Sequence, residues 1–429
     1  MSFRIGLLAA FAAAQAPIAS SSATSASPGC LSSTLCDAGA VPALVAKLRT
    51  AQFAGKPVHI LQIGDSHTAG DMITNGLRSR LQARYGHGGR GVLAAGRPYS
   101  GYITWGVTAS QSPGWSVNGL FGKSHDGQGA PLGLSGFTQS ARRPGETLGL
   151  ATDAPEHDFD RMTVCALTRP GGGTVALRLG DIVQNWSLDA PVRGAACRTL
   201  EASRPVSSAS ITTLDAGPVG ITSFGTFRRG GGVVVSNLGV VGAQLDHLNR
   251  ADDAVVHQEL AAYRPDLIVL AYGTNEGFST RVSGAEYEAA LRSQVARIRG
   301  HARGVPIMLL GAPDAASRSA AIGSGCGSGW YTPNFLGQVR AIQRRVAREL
   351  ALSFWDWEQA MGGRCAAQTW LGRGLMRGDM VHFTREGGDR IGAMIFADIE
   401  RTPPAAAAAA SFLHPHPRQE SVLPIRRRP

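Results

Sequence analysis

Lysine is nearly missing from this chain of 429 residues: Lys47, Lys56 and Lys123 are the only ones. Arginine therefore supplies most of the positive charge, which sums to 42 Lys and Arg against 31 Asp and Glu, a net +11. No Lys/Arg-rich helix or zinc-finger spacing accompanies that charge, which argues against a nucleic-acid partner. The arginine excess reads either as the bias of a GC-rich coding sequence or as attraction to an acidic polymer or surface. No CxxC pair occurs, which argues against a zinc or thioredoxin-like site. No metal and no organic cofactor is expected. The N-terminal apolar run, Ile5 to Ala14, is too short for a spanning helix. No internal repeat is apparent.

What is present reads as a globular protein. Hydrophobic residues make up 43% and charged residues 17%, enough for a sizeable core. The length suggests two or three domains. At the N-terminus, Arg4 and the apolar run Ile5 to Ala14 precede small residues, the pattern of a secretory signal peptide over residues 1–26. Pro17 disfavours cleavage after Ala16, so the cut is expected between Ala19 and Ala26. A retained membrane anchor is the alternative. Six cysteines beyond that segment suit disulfides in an oxidising compartment. Many connectivities are open, and neighbourhood in the chain favours Cys30–Cys36, Cys165–Cys197 and Cys326–Cys365.

Two kinds of pattern alternate along the chain. "PVHILQIG" (57–64) reads as an apolar strand, and Met72, Ile73, Leu77 and Leu81 follow at helical spacing. From Pro98 to Arg229 the chain turns rich in Gly, Ser, Thr and Pro, with short β-like runs at 161–167, 173–179 and 220–227. Strands at that spacing suggest a sandwich or jelly roll. Roughly 130 residues of loop would be the other reading, which is unusual in a compact domain. Apolar strands and amphipathic helices resume at "VVVSNLG" (233–239), with a helix expected to open at "GAQLDHL" and continue through "VVHQELAAY". Strands follow at 265–273, 305–313 and 352–357, a helix at 285–302, and Thr332 and Pro333 are expected to cap and start another. Thr384 caps the last helix, which ends near Glu400. This predicts a parallel sheet with helices on both faces over residues 40–97 and 231–401. It also predicts an inserted all-β domain at 98–230 and a disordered tail at 402–429.

In such a sheet, ligands sit beyond the carboxyl ends of the strands, and four strand ends carry chemistry. "GDS" puts Ser66 between a strand and a helix, as a nucleophile or merely as the helix cap. "NLGVVG" ends in Gly242, where backbone can approach a substrate closely or simply turn. "GTNE" offers Asn275, whose amide can donate to an oxyanion or satisfy its own loop. "GDMVHFT" spaces Asp379 and His382 so that the carboxylate can orient the imidazole; an ordinary surface pair is the other reading.

Together, Ser66, Gly242, Asn275 and His382 resemble the SGNH (GDSL-like) esterase superfamily. The resemblance implies a three-layer α/β/α flavodoxin-like fold with strand order 2-1-3-4-5. It also implies Ser66 as nucleophile, His382 as base and Asp379 as its orienter. The Ser66 and Gly242 N–H groups and the Asn275 side chain would form an oxyanion hole. Two departures leave these atoms in place: His67 stands where many members have leucine, and Glu276 where aspartate is common. More finely, "IGDSHTAGD", the β-like insert, "FWDWEQAMGG" (354–363) and "DMVHFT" resemble bacterial peptidoglycan O-acetylesterases, in which the insert resembles a carbohydrate-binding module.

The expected reaction is hydrolysis of sugar acetyl esters through an acetyl-enzyme. The expected partner is O-acetylated peptidoglycan or another acylated glycan, with no nucleic acid and no stable membrane insertion, in the periplasm; an extracellular or anchored location is the alternative. Rival readings are an esterase for another acylated polysaccharide or a lipid ester, acetyl transfer between sugars, and an inert wall-binding protein. Trp105, Trp115 and Trp186 read as sugar-stacking residues or as β-domain core. His67 reads as a catalytic neighbour or as loop packing.

Overall fold

The structure is a computed structural model that describes residues 30–36 and 39–405. The expected signal peptide, and the expected tail from residue 406 onward, lie outside the described residues.

Five parallel strands form the central sheet: β1 (Val58–Gly64), β2 (Val233–Gly239), β3 (Leu267–Ala271), β4 (Ile307–Leu310) and β5 (Ser353–Trp355). Their spatial order is β2-β1-β3-β4-β5, and the short strand Leu35–Cys36 adds an antiparallel edge at β5. Every residue of β1 and β2 is buried, as expected for strands covered on both faces. Alternate residues feed two cores. Leu61, Ile63, Ile268 and Leu270 enter one, and Val58, Ile60, Leu267 and Val269 enter the other. The helices Met72–Tyr85 and Arg385–Arg401 cover the second face. The helices Gly284–His301 and Asn334–Glu349 cover the first.

Two local expectations fail. Thr332 does not cap the helix Asn334–Glu349. It is held in a strand, Trp330–Pro333, paired with Gly323–Gly327, and its hydroxyl bonds Asp314; Pro333 takes the cap position. The helix expected to run on from "GAQLDHL" is broken. A 3-10 turn spans Leu245–Arg250, and Asp252 then caps a new helix, Asp253–Tyr263, by accepting from the Ala254 and Val255 N–H groups.

Between β1 and β2 the chain forms two antiparallel sheets that share a third core. Pairing begins before Pro98, because Gly91–Leu93 joins the strand Val219–Phe227. The sheets dock on the α/β part through Leu120, Leu132 and Phe137, which share the first core with Leu245 and Leu260. Glu259 pins that junction: its buried carboxylate accepts from the Thr222 and Ser223 hydroxyls and the Leu134 N–H. Disulfides join Cys30–Cys36, Cys165–Cys197 and Cys326–Cys365, the pairing that neighbourhood in the chain favours. Among the described residues no helix is long and apolar enough to cross a membrane.

Candidate active site

β1 ends at Gly64, and the short helix Ser66–Ala69 follows at once. Asp65 caps that helix, its Oδ1 accepting from the His67 N–H at 2.9 Å. The capping role is therefore taken, and the Ser66 hydroxyl is free for other partners. The helix lies tight over the end of β2: a Cβ on Gly239 would come within 2.1 Å of the Ala69 nitrogen. Only glycine there lets the turn settle across the sheet.

Ser66 Oγ lies 2.9 Å from His382 Nε2, and His382 Nδ1 lies 2.9 Å from Asp379 Oδ2. The loop between the last two helices makes this geometry. Asp379 Oδ1 accepts from the Val381 and His382 N–H groups, each at 2.9 Å, which curls the loop so that ring and carboxylate meet. The Ala316 N–H donates to the Met380 carbonyl and ties the loop to the segment after β4. Burial alone would raise the Asp379 pKa. The His382 and Val381 N–H groups and the His382 ring outweigh it and hold the carboxyl below its ordinary value. A hydroxyl on an imidazole whose other nitrogen meets a carboxylate can lose its proton as it attacks an electrophile.

His67 packs behind this line. Its ring is buried, with Nδ1 3.2 Å from Asp65 Oδ1 and Nε2 2.9 Å from the Val381 carbonyl oxygen. Both neighbours are hydrogen-bond acceptors, which favours the doubly protonated imidazolium form. Burial works against that charge, but Asp65 and the Val381 carbonyl outweigh it and raise the His67 pKa above 6.5. The ring centroids of His67 and His382 are 5.5 Å apart.

Gly242 adopts φ +76°, and a Cβ there would meet the Phe121 ring at 2.8 Å. The Ser66 and Gly242 N–H groups find no acceptor among the described residues. Asn275 donates one amide hydrogen to the Ala243 carbonyl at 2.9 Å, beside Gly242, which leaves a second hydrogen. Its neighbour Glu276 is buried, accepts from the Leu245 N–H at 2.7 Å, and leaves Oε2 unpartnered. Burial pushes the Glu276 carboxyl up to about 7.

A cavity of about 270 Å³ opens at Ser66 and His382, lined also by Tyr99, Ile103, Val241 and Arg377. Gly242 and Asn275 are not in its lining; Val241 links them to it. Sequence reasoning missed Tyr99, Ile103 and Arg377, which lack any motif. It also missed the cap at Asp65, which the capping preference of Asp before a helix could have flagged. Trp115 and Trp186 are buried in the β-region core and cannot stack on a sugar. Trp105 is half-buried beneath the Arg385 guanidinium, 4.4 Å from its ring centre.

The profile of the GDSL-like lipase/acylhydrolase family matches residues 223–390. That span holds Gly242, Asn275, Asp379 and His382; Ser66 lies upstream, beyond the antiparallel sheets. Among solved structures, a peptidoglycan O-acetylesterase is 28% identical with a TM-score of 0.71, covering 85% of this chain and 98% of that one. A family two carbohydrate esterase from Clostridium thermocellum is 12% identical with a TM-score of 0.29, covering 67% of this chain and 98% of that one. A Bacillus subtilis protein is 12% identical with a TM-score of 0.33, covering 72% and 98%. No curated protein sequence matches the chain.

Proposed function

We propose that this chain, an ester hydrolase of the SGNH type similar to peptidoglycan O-acetylesterases, removes O-acetyl groups from the sugars of peptidoglycan. The observation that carries the mechanism is the line Ser66 Oγ–His382 Nε2 and His382 Nδ1–Asp379 Oδ2, both at 2.9 Å. The likeness to the peptidoglycan O-acetylesterase supports the substrate.

His382 takes the Ser66 proton as Oγ attacks the acetyl carbonyl. Asp379 holds the ring with Nδ1 protonated and stabilises the imidazolium that forms. The Ser66 and Gly242 N–H groups and the spare Asn275 hydrogen receive the developing oxyanion. His382 then protonates the departing sugar hydroxyl, and water activated by the same ring releases acetate from Ser66. No step calls on a metal or cofactor.

At about 270 Å³ the cavity is at the small end of ligand pockets, which favours a short acyl group over a fatty chain. We read residues 98–230, whose antiparallel sheets also take in the strand Gly91–Leu93, as an inserted domain that resembles a carbohydrate-binding module. The disulfides suit an oxidising compartment, and we place the protein in the periplasm, facing the wall.

Acetate release is the test. Wild type is expected to release acetate from O-acetylated peptidoglycan faster than from acetylated xylan or long-chain esters, and Ser66→Ala is expected to release none. No release from peptidoglycan would overturn the substrate. Equal activity of Ser66→Ala on an activated acetyl ester would overturn the mechanism.

A further inference from the structure

A second cavity exceeds the one at Ser66 in volume. A groove of about 700 Å³ lies in the antiparallel region, against the start of the helix Asp253–Tyr263. Four arginines line it: Arg142, Arg143, Arg169 and Arg193. We infer that this groove is a second binding site, which takes the free carboxylates of peptidoglycan stem peptides while an acetylated sugar occupies Ser66. The inference rests on the peptidoglycan reading above.

The charges in the groove are unspent. None of the four arginines forms an ion pair among the described residues, whereas Arg78, Arg80, Arg90 and Arg292 all do. Arg142, Arg143 and Arg193 are exposed. Arg169 is half-buried, and its enclosed Nε has no hydrogen-bond partner. The nearby acids are already engaged. Asp252 caps its helix, and Glu146, whose charge Arg143 feels, accepts from the Ser112 hydroxyl and the Gly114 N–H. A guanidinium matches a carboxylate through paired N–H donors. Four of them around one groove select a ligand with several carboxylates over a neutral glycan.

One segment links the two sites. Phe121 lies against Gly242 and stacks on His247, with ring centres 4.5 Å apart. Further along the same segment, Gln128 to Pro131 line the groove. A backbone of that length reaches at most about 33 Å. Both sites therefore lie within the reach of one polymer strand.

The test uses the full-length protein with the double substitution Arg142→Ser and Arg143→Ser, both exposed. Turnover of a small soluble acetyl ester, which has no carboxylate for the groove, is expected to stay at the wild-type rate and reports the fold. Binding is measured by co-sedimentation with purified, de-O-acetylated peptidoglycan sacculi in the Ser66→Ala background. The double substitution is expected to weaken binding about tenfold, and amidation of the sacculus carboxylates is expected to weaken binding of the unsubstituted background equally. Undiminished binding in either arm overturns the inference, as does an equal loss of binding to neutral acetylated xylan. Arginine-dependent binding to sacculi without acetate release by wild type would leave the groove in place and overturn the substrate reading alone.

Discussion

His67 Nε2 sits 2.9 Å from the carbonyl oxygen of Val381, the residue next to His382. The side chain after the candidate nucleophile thus holds the loop that carries the candidate base. This contact spans 314 positions of sequence.

Replacing His67 by Gln should lower kcat on a soluble acetyl ester by up to about 100-fold with KM little changed, because the His382 ring loses its support. It should also move the acid limb of the pH–rate profile to higher pH, because a positive charge beside His382 is gone. A merely structural role would leave that limb unmoved. The sign for stability follows from the raised pKa. The His67 contribution is complete below pH 6.5 and is lost as pH rises through the raised folded value.

Asp379→Asn should reduce kcat by up to about 10⁴-fold by removing control of the His382 tautomer. Asn275→Ala should cost roughly 3 kcal/mol of barrier, about 100-fold in rate. Steady-state kinetics on the same ester would measure both. Full activity in either variant would remove that residue from the proposed mechanism.

Glu276 makes stability pH-dependent. Its folded pKa of about 7 stands above the unfolded 4.5, so its contribution is greatest below pH 4.5 and is lost as pH climbs to about 7. The loss amounts to ~3 kcal/mol. Glu276→Gln should flatten the stability profile across that window and be the more stable protein at pH 8, as read by urea unfolding.

Asp71 anchors a buried ion cluster behind the site. Its carboxylate bonds Arg78, Arg90, the Thr74 hydroxyl and the Trp105 N–H, at a backbone φ of +53°. Burial raises its pKa, but the two arginines and the hydrogen bonds outweigh that and hold it down. Asp71→Asn leaves two buried guanidinium groups short of a counter-charge and should cost roughly 3–5 kcal/mol of unfolding free energy. A loss under about 1 kcal/mol would show that the cluster is dispensable.

The parallel strands were readable because burial on both faces makes them nearly continuous apolar runs, and β2 falls at the expected residues 233–239. The last helix was readable from Thr384, whose hydroxyl accepts from the Gly387 N–H. Thr332 misled because strand pairing with Gly323–Gly327 claimed it before the helix began, a tertiary choice that local capping preference does not see. Gly91–Leu93 was missed as a strand because three residues carry no readable period and their partner, Val219–Phe227, is far along the chain.

By itself the sequence determined which residue types end each strand, and strand ends are where a parallel sheet presents its chemistry. Whether those residues meet was a matter of tertiary structure. Ser66 and His382 are 316 positions apart, and a hydrogen bond forms or fails within a few tenths of an ångström. Only the folded chain could bring Ser66 to His382 and turn His67 into a brace on Val381. The arginine groove is of the same kind: composition announced the charge, and only packing decided which guanidinium groups were left without an acid.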